Sequence, residues 1–474
     1  MTTLAALILA SLLGCSSPED TVGATSPSTS WTGTSHDTAE PTDSTPPPSD
    51  TGQPDTGPLD CSGHTTHVGS IVLEDAAAIR DFGSRIDRVE GSLTFDTLEP
   101  GETLAGLDCL RSVTGDLRAT NALYLPGMGS LASLEEVGEI SWSRGFDMKD
   151  FLLPQATGFT SLSLSELDIQ TLSLGAGSEP DVRLVELPRL ESLATLQGTL
   201  AGLWMSGLSS LTTLADWGVT ELRRELYVVG SPLAELGGLA DVVLEEGLSV
   251  TLNDLALVNL DGLQGLSHAS QLSVMQMDAL TSLDGVAGSL QVEGLTLDEL
   301  PQLTTLAGLE GLRFADTASP PDLVLWRMAS LTDLSALVLA PTMGTVNLYD
   351  LPLATLPPWE VVQLDYLDVQ GLDILVDMTG FGHLEGTTST LHIERNPGLQ
   401  TLDGLQGLRQ VGALMITGND ALTSVEALHG ITRIDGDVTF LNNPSLSAGA
   451  IQDLLTAIGE DRIGGEVTVM NNGP

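Results

Sequence analysis

The chain has 474 residues, of which 42% are hydrophobic but only 4% aromatic, so aliphatic side chains must fill its core. The formal net charge is −47, a field that repels nucleic acid and anionic membrane faces. The single lysine, Lys149, follows Met148, which excludes a Walker phosphate loop, and neither H-E-x-x-H nor G-x-S-x-G occurs.

The first element is the apolar run Leu4 to Leu13, too short to span a bilayer and suited to a signal-peptide core. It ends in Leu12-Leu13-Gly14-Cys15, which resembles the bacterial lipobox. The resemblance implies a signal peptide over residues 1–15 and a lipidated Cys15 that anchors the chain to a membrane. Ser16 stands where an inner-membrane retention signal has aspartate, which points to the outer membrane or cell surface. Residues 16–60 are rich in Ser, Thr, Pro and Asp and contain no Lys or Arg. Such a stretch cannot bury enough apolar surface to offset its ordering entropy, so it is expected to be a disordered tether. Asp50-Thr51-Gly52 and Asp55-Thr56-Gly57 match the aspartic-protease triplet, but Pro and Ser flank them instead of apolar strands.

From residue 61 to 474 a repeat of about 23 residues governs the chain. "LDGLQGL" stands at Leu260–Leu266 and again at Leu402–Leu408, six repeats apart. Each repeat has an inward anchor and a second apolar residue two positions later, the alternation of a short strand. The anchors are Ile71, Leu93, Leu117, Ile140, Leu162, Val182, Leu203, Leu226, Leu248, Leu272, Leu295, Leu323, Val346, Leu367, Leu391, Leu414, Val438 and Val467. A glycine often stands two residues before the anchor, where a tight turn into the strand would use it. About eleven residues after the anchor, L-x-G-L-x-G-L supplies an opposite wall of leucines. One repeat cannot bury its own apolar face, so about eighteen rungs are expected to stack. The fold class is therefore mainly β: a right-handed parallel β-solenoid with a short C-terminal helix.

The pattern resembles the receptor L-domain family, the leucine-rich-repeat-like solenoids of receptor ectodomains and bacterial surface proteins. The likeness is strongest in the Cys-headed start with "VEGSLTF", near 61–140, and near 367–474, where Asn396, Asn419 and Asn443 each follow an anchor by five residues. Between them that position holds Leu187, Leu208, Met277, Met328 or Leu351, as in a more generic leucine-rich repeat. The two remaining cysteines of an exported chain, Cys61 and Cys109, are expected to form a disulfide. The alternative is a metal at Cys61, His64 and His67, three ligands without a fourth. At the other end Ile451, Leu454, Leu455 and Ile458 have helical spacing, with Ser447 as N-cap.

No cofactor motif is present, and neither calcium-loop pattern occurs. The outward strand positions are more informative. One residue after the anchor, three successive rungs carry Arg183, Trp204 and Tyr227; three residues after it, two successive rungs carry Trp326 and Tyr349. Large side chains set side by side on an outer sheet face often mark binding surfaces. The expected function is that of a non-catalytic cell-envelope lipoprotein whose solenoid binds a protein or glycan ligand. The alternatives are a structural spacer and a carbohydrate-active β-helix enzyme.

Overall fold

The computed structural model describes residues 61–96, 103–120 and 125–474. Cys15 and the tether 16–60 lie outside the described residues.

The described chain is a parallel β-solenoid. One ladder links the anchors in register: Ile71 pairs with Leu93, Leu93 with Leu117, Leu117 with Ile140, and so on to Val438 with Val467. Every expected anchor but one lies in this column. The exception is Leu248: Val250 is the residue that pairs with both Leu226 and Leu272. The reason is the period of two. Leu248, Val250 and Leu252 all point inward and are fully buried, so a slip of two residues leaves the apolar pattern unchanged. The outward residue of that rung is thus Thr251.

The opposite wall comes from the leucine motif. Leu260, Leu263 and Leu266 are fully buried, as are Leu405 and Leu408. Their spacing of three suits a run of tight turns: the Leu263 N–H donates to Leu260 O at 3.2 Å, and Leu266 N–H to Leu263 O at 2.9 Å. The first glycine of the motif is required twice over. Gly404 has φ +110°, and a Cβ there would lie 1.9 Å from Met378 O on the preceding rung.

Of the glycines two residues before the anchors, Gly69, Gly91 and Gly436 stand in bends that lead into the strand, as expected, whereas Gly115 and Gly138 lie within continuous strands. The strand Ser112–Thr120 runs straight through Gly115 and shifts register with the next strand between Val113 and Asp116. A Cβ on Gly115 would lie 2.8 Å from the Gly91 backbone, and one on Gly138 would lie 2.8 Å from Gly115 O. Gly115 and Gly138 permit close approach of stacked bulges.

After each strand the chain turns a corner at a left-handed residue, four positions past the anchor. The column runs unbroken through fifteen rungs, from Arg144 to Asn471. Only Gly207, Gly230, Gly371 and Gly418 are glycine; the others include Glu186, Gln276, Glu299, Arg327 and Asp350. A left-handed conformation costs a non-glycine residue about 1 kcal/mol or more. Stacking offsets it, because corner N–H groups donate to the next rung: Gln276 N to Asp298 O at 2.8 Å, Glu299 N to Trp326 O at 3.1 Å, Arg327 N to Tyr349 O at 2.9 Å.

The ends are closed differently. Cys61 and Cys109 are joined in a disulfide, their Cα atoms 5.6 Å apart. Helix α1 (Ala76–Gly83) packs at this end, with Asp75 as N-cap and Ile79 and Phe82 buried. The disulfide sets aside the metal alternative: His67 packs edge-on to Phe82, and His64 Nδ1–H donates to Cys61 O at 2.8 Å. At the other end helix α2 (Ala448–Ile458) forms as expected, capped by Ser447, with Ile451, Leu454 and Ile458 buried. Among the described residues the strand Val467–Met470 is paired on one side only, and its inward Val467 is 47% exposed.

The four C-terminal rungs carry a buried asparagine ladder. Asn419 Oδ1 accepts from Asn396 N at 3.0 Å and from Asn396 Nδ2 at 3.2 Å. Asn443 Oδ1 accepts likewise from Asn419, and Asn472 Oδ1 from Asn443. Each Nδ2 also reaches back to a strand carbonyl, as Asn419 does to Ile393 O at 3.0 Å.

Candidate functional site

Arg183, Trp204 and Tyr227 occupy equivalent positions on three neighbouring strands, paired Arg183 with Trp204 and Trp204 with Tyr227. Parallel registry sets their side chains one rung apart on the outer face. The Trp204 and Tyr227 rings stack at a centroid separation of 3.6 Å and 17° between planes. From the rung on the other side, the Arg183 guanidinium lies 4.5 Å from the Trp204 centroid. Both faces of the indole are therefore covered, and its edge is what it offers to solvent.

Beside this stack lies a depression of roughly 490 Å3, lined in part by Ser161, Ser163, Asp181, Gly202, Trp204 and Arg224. Gly202 leaves the floor open: a Cβ there would lie 2.8 Å from Asp181 Oδ1. The Arg224 guanidinium reaches Asp181 at 2.5 Å. Burial raises the Glu225 carboxyl above its ordinary range, opposed by the charge of Arg183, and burial likewise raises the Tyr227 hydroxyl.

Trp326 and Tyr349 form a second group, with ring centroids 5.2 Å apart and tilted by 53°. Arg327 lies 5.2 Å from the Trp326 centroid and is held by Asp298 at 2.8 Å and Glu299 at 2.6 Å. Arg395 donates to Tyr349 Oη at 2.8 Å. The two groups are not brought together. Three rungs lie between Tyr227 and Trp326, about 19 Å apart at the usual strand spacing. The intervening outward residues are small: Thr251, Ser273 and Thr296.

Sequence reasoning passed over a polar network beside the second group. Asp368 accepts from Gln370 Nε2 at 2.8 Å and from the Tyr366 hydroxyl at 3.2 Å. His392 stands between two carboxylates, with Nδ1 3.2 Å from Asp368 and Nε2 3.1 Å from Glu394. Burial disfavours the charged His392 ring, but the two carboxylates outweigh it and hold its pKa above the ordinary value. Burial and Asp368 also push the Tyr366 hydroxyl upward. Asp368 and His392 share the column of Arg183, Trp204 and Tyr227, so the same outward count that found the stack leads to them.

No protein-family model, curated protein or solved structure matches the chain.

Proposed function

We propose that this chain is a cell-envelope lipoprotein of receptor L-domain type whose outer strand face binds a protein ligand without catalysis. One observation carries the reading. The Arg183–Trp204–Tyr227 stack stands on an outward sheet face beside an open depression. Half-buried Trp204 and Tyr227 beside an exposed Arg183 are the residue types that dominate binding energy at protein interfaces. A protein is favoured over a glycan because sugars stack on open ring faces, and both faces of Trp204 are taken. Anchoring at Cys15 would hold this face at the outer membrane or cell surface, with 16–60 as spacer.

The test is an array of envelope proteins, surface proteins and glycans presented to the purified mature protein. Saturable binding of a protein, lost in Trp204→Ala, supports the reading. Silence on every surface favours a structural spacer, and release of products from a polysaccharide favours a β-helix enzyme.

A further inference from the structure

The arginines of the strand face differ in how they are held. Arg118 is paired with Asp116 at 2.5 Å, Arg224 with Asp181, and Arg327 with Asp298 and Glu299. In so acidic a chain such pairing is expected. Arg183 is held differently: it is exposed and stacked on Trp204, and its side chain makes no hydrogen bond or ion pair among the described residues. Its donors are left open while its plane is fixed.

We infer that Arg183 reads a carboxylate on the protein ligand, seated in the Gly202 depression. The inference rests on the strand face being the binding face. Guanidinium presents a planar fork of donors that matches a carboxylate in two parallel bonds, and stacking on an aromatic ring preorganises it. The depression beside it supplies two further donors, the hydroxyls of Ser161 and Ser163, and the missing side chain of Gly202 makes room. Of the two carboxylates in the lining, Asp181 is held by Arg224, and Glu225 makes no ion pair with Arg183 while burial favours its neutral form. The net charge of the chain opposes an acidic ligand at long range, but at physiological salt that field is screened beyond about 8 Å. The fork acts inside that distance. Trp204 and Tyr227 are then positioning residues for Arg183.

Three probes test this at physiological salt: a glycine–serine peptide with one glutamate, the same peptide with glutamine, and a glucuronic-acid oligomer. The Trp204 indole signal in NMR reports occupancy. The glutamate peptide is expected to shift that signal, with the glutamine peptide weaker by about tenfold or more. Arg183→Gln should lose the difference, and Arg183→Lys should lose most of it because the fork is gone while the charge remains. An unchanged melting temperature confirms that both variants fold. Equal binding of the two peptides would overturn the carboxylate inference and leave the binding face standing. Preference for the glucuronic-acid oligomer would overturn it in favour of an acidic glycan. If none of the probes moves the indole signal, the inference fails, and the array decides separately whether the face binds anything.

Discussion

Trp204 and Tyr227, 23 positions apart in the chain, stack ring on ring at 3.6 Å because parallel registry places them at the same point of adjacent rungs. The contact is lateral, between outward side chains, and the core beneath it is independent of both.

Trp204→Ala should therefore lower stability by about 1 kcal/mol, the loss of one aromatic stack and one cation–π contact. That exceeds the effect of a plain surface residue and falls well short of the roughly 3–5 kcal/mol expected for the fully buried Trp142. Binding to the array partner should weaken by about 2 kcal/mol or more. Denaturant melts of both variants and one titration check it. A Trp204 loss as large as that of Trp142 would contradict the outward register.

Asn419→Leu should cost about 2–4 kcal/mol, although leucine is the common residue at this position in the middle rungs. The variant leaves the Asn396 N–H and the Ile393 carbonyl without their partners in a dry interior. Urea denaturation measures the cost. Stability equal to that of the parent chain would show that the ladder is dispensable.

Reducing Cys61–Cys109 should destabilise the first rungs by about 2–4 kcal/mol, since the bond closes a long loop of the unfolded chain. Hydrogen exchange should report faster opening over α1 and the first strands, with the asparagine rungs unaffected. Uniform acceleration along the chain would argue against local pinning.

The raised pKa of His392 has a definite sign in stability. The folded state binds the proton more tightly than the unfolded one, so this contribution is complete below about pH 6.5. It is lost as pH rises through the higher folded value. Melting temperature should fall as pH rises from about 6.5 through the higher folded value, and His392→Asn should flatten that slope. A slope that persists in the variant would assign it to other groups.

The fold was legible because its signal is repeated: an apolar pair in every rung, and leucines three apart on the facing wall. Where the signal is degenerate it misled, as at Leu248, whose inward position is shared with Val250 and Leu252. Asn472 was in plain view, five residues after Val467, the same spacing as Asn396, Asn419 and Asn443 from their anchors. Helix α1 had its cap in Asp75 and was hidden by the strand pattern on either side. The left-handed corners could not be read at all. Arg, Glu, Asp, Gln and Asn serve there, and what permits the conformation is a hydrogen bond to a residue one rung away. The outward column was countable, but the stacking that covers both faces of Trp204 depends on rotamers that no sequence pattern encodes.

Because the corner tolerates so many residues, each rung bends at the same point whatever its local sequence. The strand face is thus a lattice, with rows fixed by the corners and columns by strand alternation. Side chains can be exchanged at a lattice point without displacing the rows beside it. Thr251, Ser273 and Thr296 stand in register in the column that holds Arg183, Trp204 and Tyr227. The Arg–Trp–Tyr triplet can be written onto those three points, moving the contact along the face while the scaffold stays the same.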